Sequence, residues 1–190
     1  MQVIGGEVPS AVSVADFKRA THFSGGDQDD DLSLAAYLMA AQEVVETASG
    51  RPIGARSVRF EVPIQAGCLR WWFPVAPVSA LSKVQGLIGG AWADLDVSAA
   101  RVEFGHDEPQ FVMSTGFLSA GQTAIAVEAT VGIDGGAREK ALKQAVILIA
   151  KSWFEAGIAV EDFSEAKMSF GAKALIKQAR YKRPCIWRAA

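Results

Sequence analysis

Apolar and polar positions repeat along this chain with two periods, and the places where the period changes mark the elements. "SVADFKRATHF" fits a short first helix, with Ser13 as its N-cap and Asp16 in the first turn, where negative charge suits the helix dipole. The polar run "SGGDQDDD" breaks that helix, and its last aspartates lie where they can cap the next one. In "DLSLAAYLMAAQEVVETASG", Leu34, Tyr37, Leu38, Ala41, Val45 and Ala48 recur at i, i+3, i+4 spacing, while Gln42, Glu43, Glu46 and Thr47 fall elsewhere. Gly50 then supplies a stop, and Pro52 follows it.

From about Arg56 to Ile133 the period shortens to two. "SVRFEVP" puts Val58, Phe60 and Val62 on one side and Ser57, Arg59 and Glu61 on the other, the signature of a half-buried strand. "LRWWFPV" and "ALSKVQGL" follow, separated by the proline-rich turn "PVAPVS". Gly89-Gly90 and the stretch from Gly116 to Gly121 punctuate later strands, and "AIAVEATVGI" has the β-branched content of a strong one. These segments predict several short strands, antiparallel, joined by tight turns.

At Asp134 the helical period returns, with Asp134 in the N-cap region. In "AREKALKQAVILIAKSWFEAG" only Lys140, Gln144, Lys151 and Glu155 form a polar stripe. Leu142, Ala145, Val146, Leu148, Ile149 and Trp153 cover a wide arc, so this helix is expected to be packed on more than one side. Ser169 offers the N-cap of a last short helix over Phe170 to Ala179, and Pro184 forbids its continuation. The predicted fold class is α+β. A helical bundle, made of two long helices plus short first and last helices, carries an inserted antiparallel β region between the two long helices and ends in an extended C-terminal tail. The expected parts are an N-terminal helical part (1–55), the β region (56–133), a C-terminal helical part completing the bundle (134–179) and the tail (180–190).

Composition narrows the function classes. Of 190 residues half are apolar and 21% charged, with a formal net charge of −2, an ordinary globular mix. A protein gripping DNA over its whole surface would be clearly basic. Cys68 and Cys185 lie far apart with no CxxC spacing, which reads as two free thiols in a reducing compartment. The first residues carry no basic region ahead of an apolar run, and the longest strictly apolar run, "AVILIA", is far short of a membrane span. A soluble protein made in the cytoplasm is expected.

Motifs for catalysis are missing. "DQDDD" fails as a calcium loop, because counting from Asp27 puts Leu32 at position six and Leu38 at position twelve, where glycine and glutamate are needed. His106, Asp107 and Glu108 offer acid–base groups but lack a nucleophile signature, and no phosphate-binding glycine motif occurs. No catalytic residue, cofactor or metal site is expected. Trp71, Trp72 and Phe73 are adjacent on a strand, so Trp71 and Phe73 share one face and Trp72 takes the other. One face is expected in the core; the other is expected to be covered either by another element of the chain, giving core on both sides, or by a partner, which makes it a candidate interface.

The order of segments carries a resemblance. "DDDLSLAAYLMAAQEVVETASGRPI", with its exit Thr47, Ala48, Ser49, Gly50, Arg51, resembles the signature helix of the head–tail connector (adaptor) proteins of tailed bacteriophages and phage-derived gene transfer agents. "FPVAPVSALSKVQ", "IAVEATVGID", "LKQAVILIAKSWFEAG" and "ALIKQARYKRPCIWR" are similar to that family's later segments in the same order. The resemblance implies a structural protein of the virion, not an enzyme. It forms a ring, commonly of twelve copies, under the capsid portal, with DNA passing through without sequence-specific binding. Its implied partners are the portal protein, a tail-side stopper or terminator, and other copies of itself, with no membrane. The C-terminal segment would dock into the portal through Arg180, Tyr181, Lys182, Arg183, Ile186, Trp187 and Arg188. The residues alone leave a second reading, a nucleic-acid-binding module using this basic tail, in which aromatics between arginines stack on bases.

Overall fold

A computed structural model of the chain describes residues 1–23, 28–105, 108–114, 116–118, 121–132, 135–157, 168–185 and 187–189. The chain divides into two compact units. One comprises Met1–Pro9, Gly54–Ile133 and Lys182–Ala190, and the other Ser10–Ile53 and Asp134–Tyr181.

The second unit holds the helices α1 (Val14–Thr21), α2 (Gln28–Ser49), α3 (Ala137–Ala156) and α4 (Phe170–Ala179). The expected serine caps form: Ser13 Oγ accepts from the Asp16 N–H at 3.1 Å, and Ser169 Oγ accepts from the Ala172 N–H at 3.2 Å. Each satisfies one of the amides a helix start leaves without a partner. At α3 the N-cap is Gly136, and the Gly135 N–H is taken by Glu139 at 2.7 Å; Asp134 lies outside the described residues. The apolar face read from α2 is the buried one: Leu34, Leu38, Ala41 and Val45 meet Leu142, Val146, Ile149 and Trp153 of α3 and Ala172 and Ile176 of α4 in one core. Each large side chain buried there contributes about 1.5–3 kcal/mol of transfer free energy.

The first unit holds the strands β1 (Gln2–Ile4), β2 (Arg56–Pro63), β3 (Cys68–Trp72), β4 (Val78–Ile88), β5 (Ala91–Asp94), β6 (Ala100–Gly105), β7 (Glu108–Met113), β8 (Gln122–Val131) and β9 (Trp187–Ala189). They form a five-stranded sheet in the order β1-β2-β8-β4-β5 and a four-stranded sheet in the order β6-β7-β3-β9. Every neighbouring pair is antiparallel. The alternation in β2 appears as read, with Val58, Phe60 and Val62 buried. Gly89 and Gly90, both at positive φ (58° and 84°), turn β4 into β5 in two residues, a backbone that glycine adopts without strain. The inner faces of both sheets meet in one core, where the Phe73 ring lies 4.9 Å from Trp71, 5.3 Å from Phe60 and 6.4 Å from Phe111.

This architecture corrects the expected fold class. The chain is a mixed α/β protein with a five-stranded sheet, a second sheet and, among the described residues, four helices of 8, 22, 20 and 10 residues. It is not a helical bundle of two long helices around an inserted β region. The sheets bury their own aromatic core, and two strands, β1 and β9, come from the ends of the chain. Three-residue strands carry too few positions for a period-two pattern, so pairing partners far away in sequence create them.

Candidate functional site

The C-terminal segment starts where α4 ends. Arg180 leaves helical geometry with ψ of 130° and is exposed. Tyr181 turns inward: its N–H donates to the Ser49 carbonyl at 2.7 Å, and its ring lies 5.8 Å from the guanidinium of Arg51. Arg51 is itself buried and donates through Nε to the Ala179 carbonyl at 2.6 Å. A buried guanidinium needs such partners, because an unpaired charge away from water is costly. The arginine read in the helix exit and the tyrosine read as a docking anchor thus hold each other inside the helical unit.

Beyond Tyr181 the segment belongs to the sheet unit. Lys182 is exposed. The Arg183 guanidinium donates through Nη2 to the Trp72 carbonyl and lies 5.2 Å from the Trp71 ring, a cation–π arrangement. Pro184 and Cys185 are exposed, and Ile186 lies outside the described residues. Trp187 and Arg188 belong by backbone to β9, an edge strand on β3, with Trp187 opposite Trp71, Arg188 opposite Arg70 and Ala189 opposite Cys68. The structure therefore brings Arg183 and β9 together with the Trp71–Trp72 strand, while Tyr181 belongs to the helical unit.

The aromatic triplet divides as the strand geometry predicts. Trp71 and Phe73 enter the core between the sheets, and Trp72 is not part of that cluster. Trp72 is buried as well, with 4% of its surface exposed, so none of the three is open to a partner in the single chain. The outer face of β3 carries Arg70, which donates to Glu103 at 2.6 Å and to Gln110 at 3.2 Å. Arg70 first, and Arg101 beside it, hold the Glu103 carboxyl below the ordinary glutamate range.

Basic charge is concentrated at this end. No Asp or Glu follows Glu165, and Lys173, Lys177, Arg180 and Lys182 are all exposed. Of the acid–base trio, His106 and Asp107 lie outside the described residues, and Glu108 opens β7 opposite Gly105. Among the described residues no three His, Cys, Asp or Glu side chains group to hold a metal ion, and no helix is long and apolar enough to cross a membrane. Gln42 was read as a polar-face residue and is instead 2% exposed, accepting from the Ala11 N–H at 2.7 Å and donating to Glu46 at 2.9 Å. Nothing in the local pattern marks it, because the amide it accepts from, Ala11 N–H, lies 31 positions away in sequence.

No family model matches the chain, and no curated protein matches it. Solved structures do. One chain in the neck of an empty gene transfer agent particle, computed with C6 symmetry, is 23% identical with a TM-score of 0.71, over 95% of this chain and 95% of that one. A chain in the neck of a native particle, computed with C12 symmetry, is 21% identical with a TM-score of 0.68, over 97% and 98%. A chain in the virion of a native gene transfer agent particle is 23% identical with a TM-score of 0.71, over 97% and 96%. This chain shares their fold across nearly its whole length. The resemblance read from the order of segments points to the same kind of particle.

Proposed function

We propose that this chain is a structural protein of the neck of a tailed phage-like particle, a head–tail connector that assembles as a ring under the capsid portal. The ring, of about twelve copies on the family resemblance, extends the DNA channel and joins the head to a tail-side stopper or terminator. Its C-terminal segment docks into the portal. The observation that carries this reading is the shared fold over nearly the entire chain with chains of particle necks, one of them computed with C12 symmetry. Heterologous contacts that close by rotation generate such rings.

Electron microscopy of particles that carry the protein tests the placement. Ring density with this fold between portal and tail supports it, and its presence elsewhere in the particle rejects it. Docking has its own test. Truncation after Lys182 removes Arg183 and β9 but keeps Tyr181, which closes the helical unit. Loss of co-assembly with the portal is expected, and wild-type occupancy would reject docking by this segment.

One observation favours a second reading, nucleic-acid binding. Four exposed cations stand on and just after α4 in a stretch without a single carboxylate. Each phosphate neutralised steepens the salt dependence of binding by about 0.9 in log–log slope. Anisotropy titrations with duplex and single-stranded DNA measure it. Micromolar, salt-sensitive affinity lost on changing Lys173, Lys177, Arg180 and Lys182 to alanine would favour this reading over docking.

A further inference from the structure

We infer that β9 is a releasable latch, which stores the docking segment on the chain's own sheet until the portal displaces it; the inference rests on the portal-docking reading. The segment is held at two points. At the first, Arg183 donates to the Trp72 carbonyl and lies over the Trp71 ring. At the second, Trp187–Ala189 pair with β3. Both points use residues of the docking segment: Arg183 at the first, and Trp187 and Arg188 at the second. A latched segment and a docked segment are therefore alternatives, and docking is an exchange of partners rather than an addition.

The second hold is weak by construction. β9 has three residues, pairs on one side only, and its register shifts between Cys68 and Arg70. Its central residue, Arg188, stands opposite Arg70. Arg70 has its own carboxylate in Glu103, so its charge is committed elsewhere on the sheet. The remaining strands do not depend on β9, because β3 keeps β7 as its neighbour. Release therefore costs little and leaves the sheet core in place.

Holding the segment has a use. β9 covers one side of β3, and an open strand edge is a template for pairing with other chains. While latched, the free protein keeps that side of β3 paired and the Arg183 guanidinium engaged. The fraction of unlatched chains then scales the apparent affinity for the portal.

A disulfide lock tests the latch. Residues directly opposite in an antiparallel pair have Cβ atoms about 4.5–5.5 Å apart, near the range a disulfide spans. Cys68 stands opposite Ala189, so the double variant Ala189→Cys, Cys185→Ser can close a bond from β3 to β9. The oxidised variant should join purified portal at least tenfold less than the same protein reduced with dithiothreitol. Equal occupancy of oxidised and reduced protein overturns the latch. If the reduced variant and the wild type both fail to bind portal, the docking reading falls, and the latch as a store for docking falls with it. Hydrogen exchange of the free wild-type chain probes the hold independently of the portal. Slow exchange of the Trp187–Ala189 amides, made at least tenfold faster by Arg183→Ala, is the expected result, and exchange at the rate of an unstructured peptide overturns the hold itself.

Discussion

The two units treat polar groups in opposite ways. In the helical unit the polar residues Gln42, Ser49 and Arg51 are buried, all within one short stretch at the end of α2. In the sheet unit the main polar network lies on the outer faces: Arg59 donates to Gln85 at 2.7 Å and to Glu128 at 3.3 Å, and Arg70 donates to Glu103. The cause is where each unit satisfies its backbone. Strands pair their amides with one another, so a sheet core needs no polar side chain. The helical unit takes in segments that enter and leave without a ladder, and their amides and carbonyls need side-chain partners. Gln42 takes the Ala11 N–H, Glu46 takes the Ile53 N–H at 2.8 Å, and Arg51 serves the Ala179 carbonyl. A polar substitution should therefore be costly in one unit and cheap in the other, while apolar truncations should cost the same in both.

The largest effects test the second half of that statement. Phe73→Ala in the sheet core and Trp153→Ala in the helical core should each destabilise by about 3–5 kcal/mol, measured by urea unfolding. A cost under 1 kcal/mol at either site would mean that unit is loosely packed. Gln42→Ala comes next, at about 2 kcal/mol, since it takes the acceptor from the Ala11 N–H and one of the donors from the Glu46 carboxylate, which keeps the Ile53 N–H. If Gln42→Ala costs no more than a surface change, the contrast between the units fails. Ser169→Ala should cost about 1 kcal/mol, the ordinary loss of an N-cap, read as a lower thermal midpoint.

The smallest effect belongs to the outer face of the sheet. Arg101→Ala should change stability by less than about 0.5 kcal/mol, as expected of an exposed ion pair. The same cluster sets a pH dependence. The folded pKa of Glu103 is depressed by Arg70 and Arg101, so its stabilising contribution is complete above the unfolded value of about 4.3. It is lost as pH falls through the lower folded value. Urea titrations at pH 7 and pH 3 should show Arg70→Ala costing less in acid; an equal cost at both would detach the effect from Glu103.

Much of this was legible in the residues. The face of α2 bearing Leu34, Leu38, Ala41 and Val45, the alternation of Val58, Phe60 and Val62, and the caps at Ser13 and Ser169 all appear as the local pattern predicts. The candidate site was legible only as a composition, a basic tail with aromatics. Its geometry was not: Tyr181 closes the helical unit against Arg51, and Arg183 meets Trp71 and Trp72, 111 residues away from the latter in sequence. No spacing rule links such positions.

By itself, the sequence determined which segments are helical or extended and which of their faces are apolar, because these depend on neighbours three or four positions away in a helix and two in a strand. The tertiary structure alone decided that the strands divide into two sheets, that β1 and β9 exist, that Gln42 is buried, and that the chain is not a bundle of long helices. Those outcomes depend on hydrogen bonds and packing between residues far apart in the chain. A three-residue edge strand has no period of its own, and it becomes a strand only because β3 offers it a register.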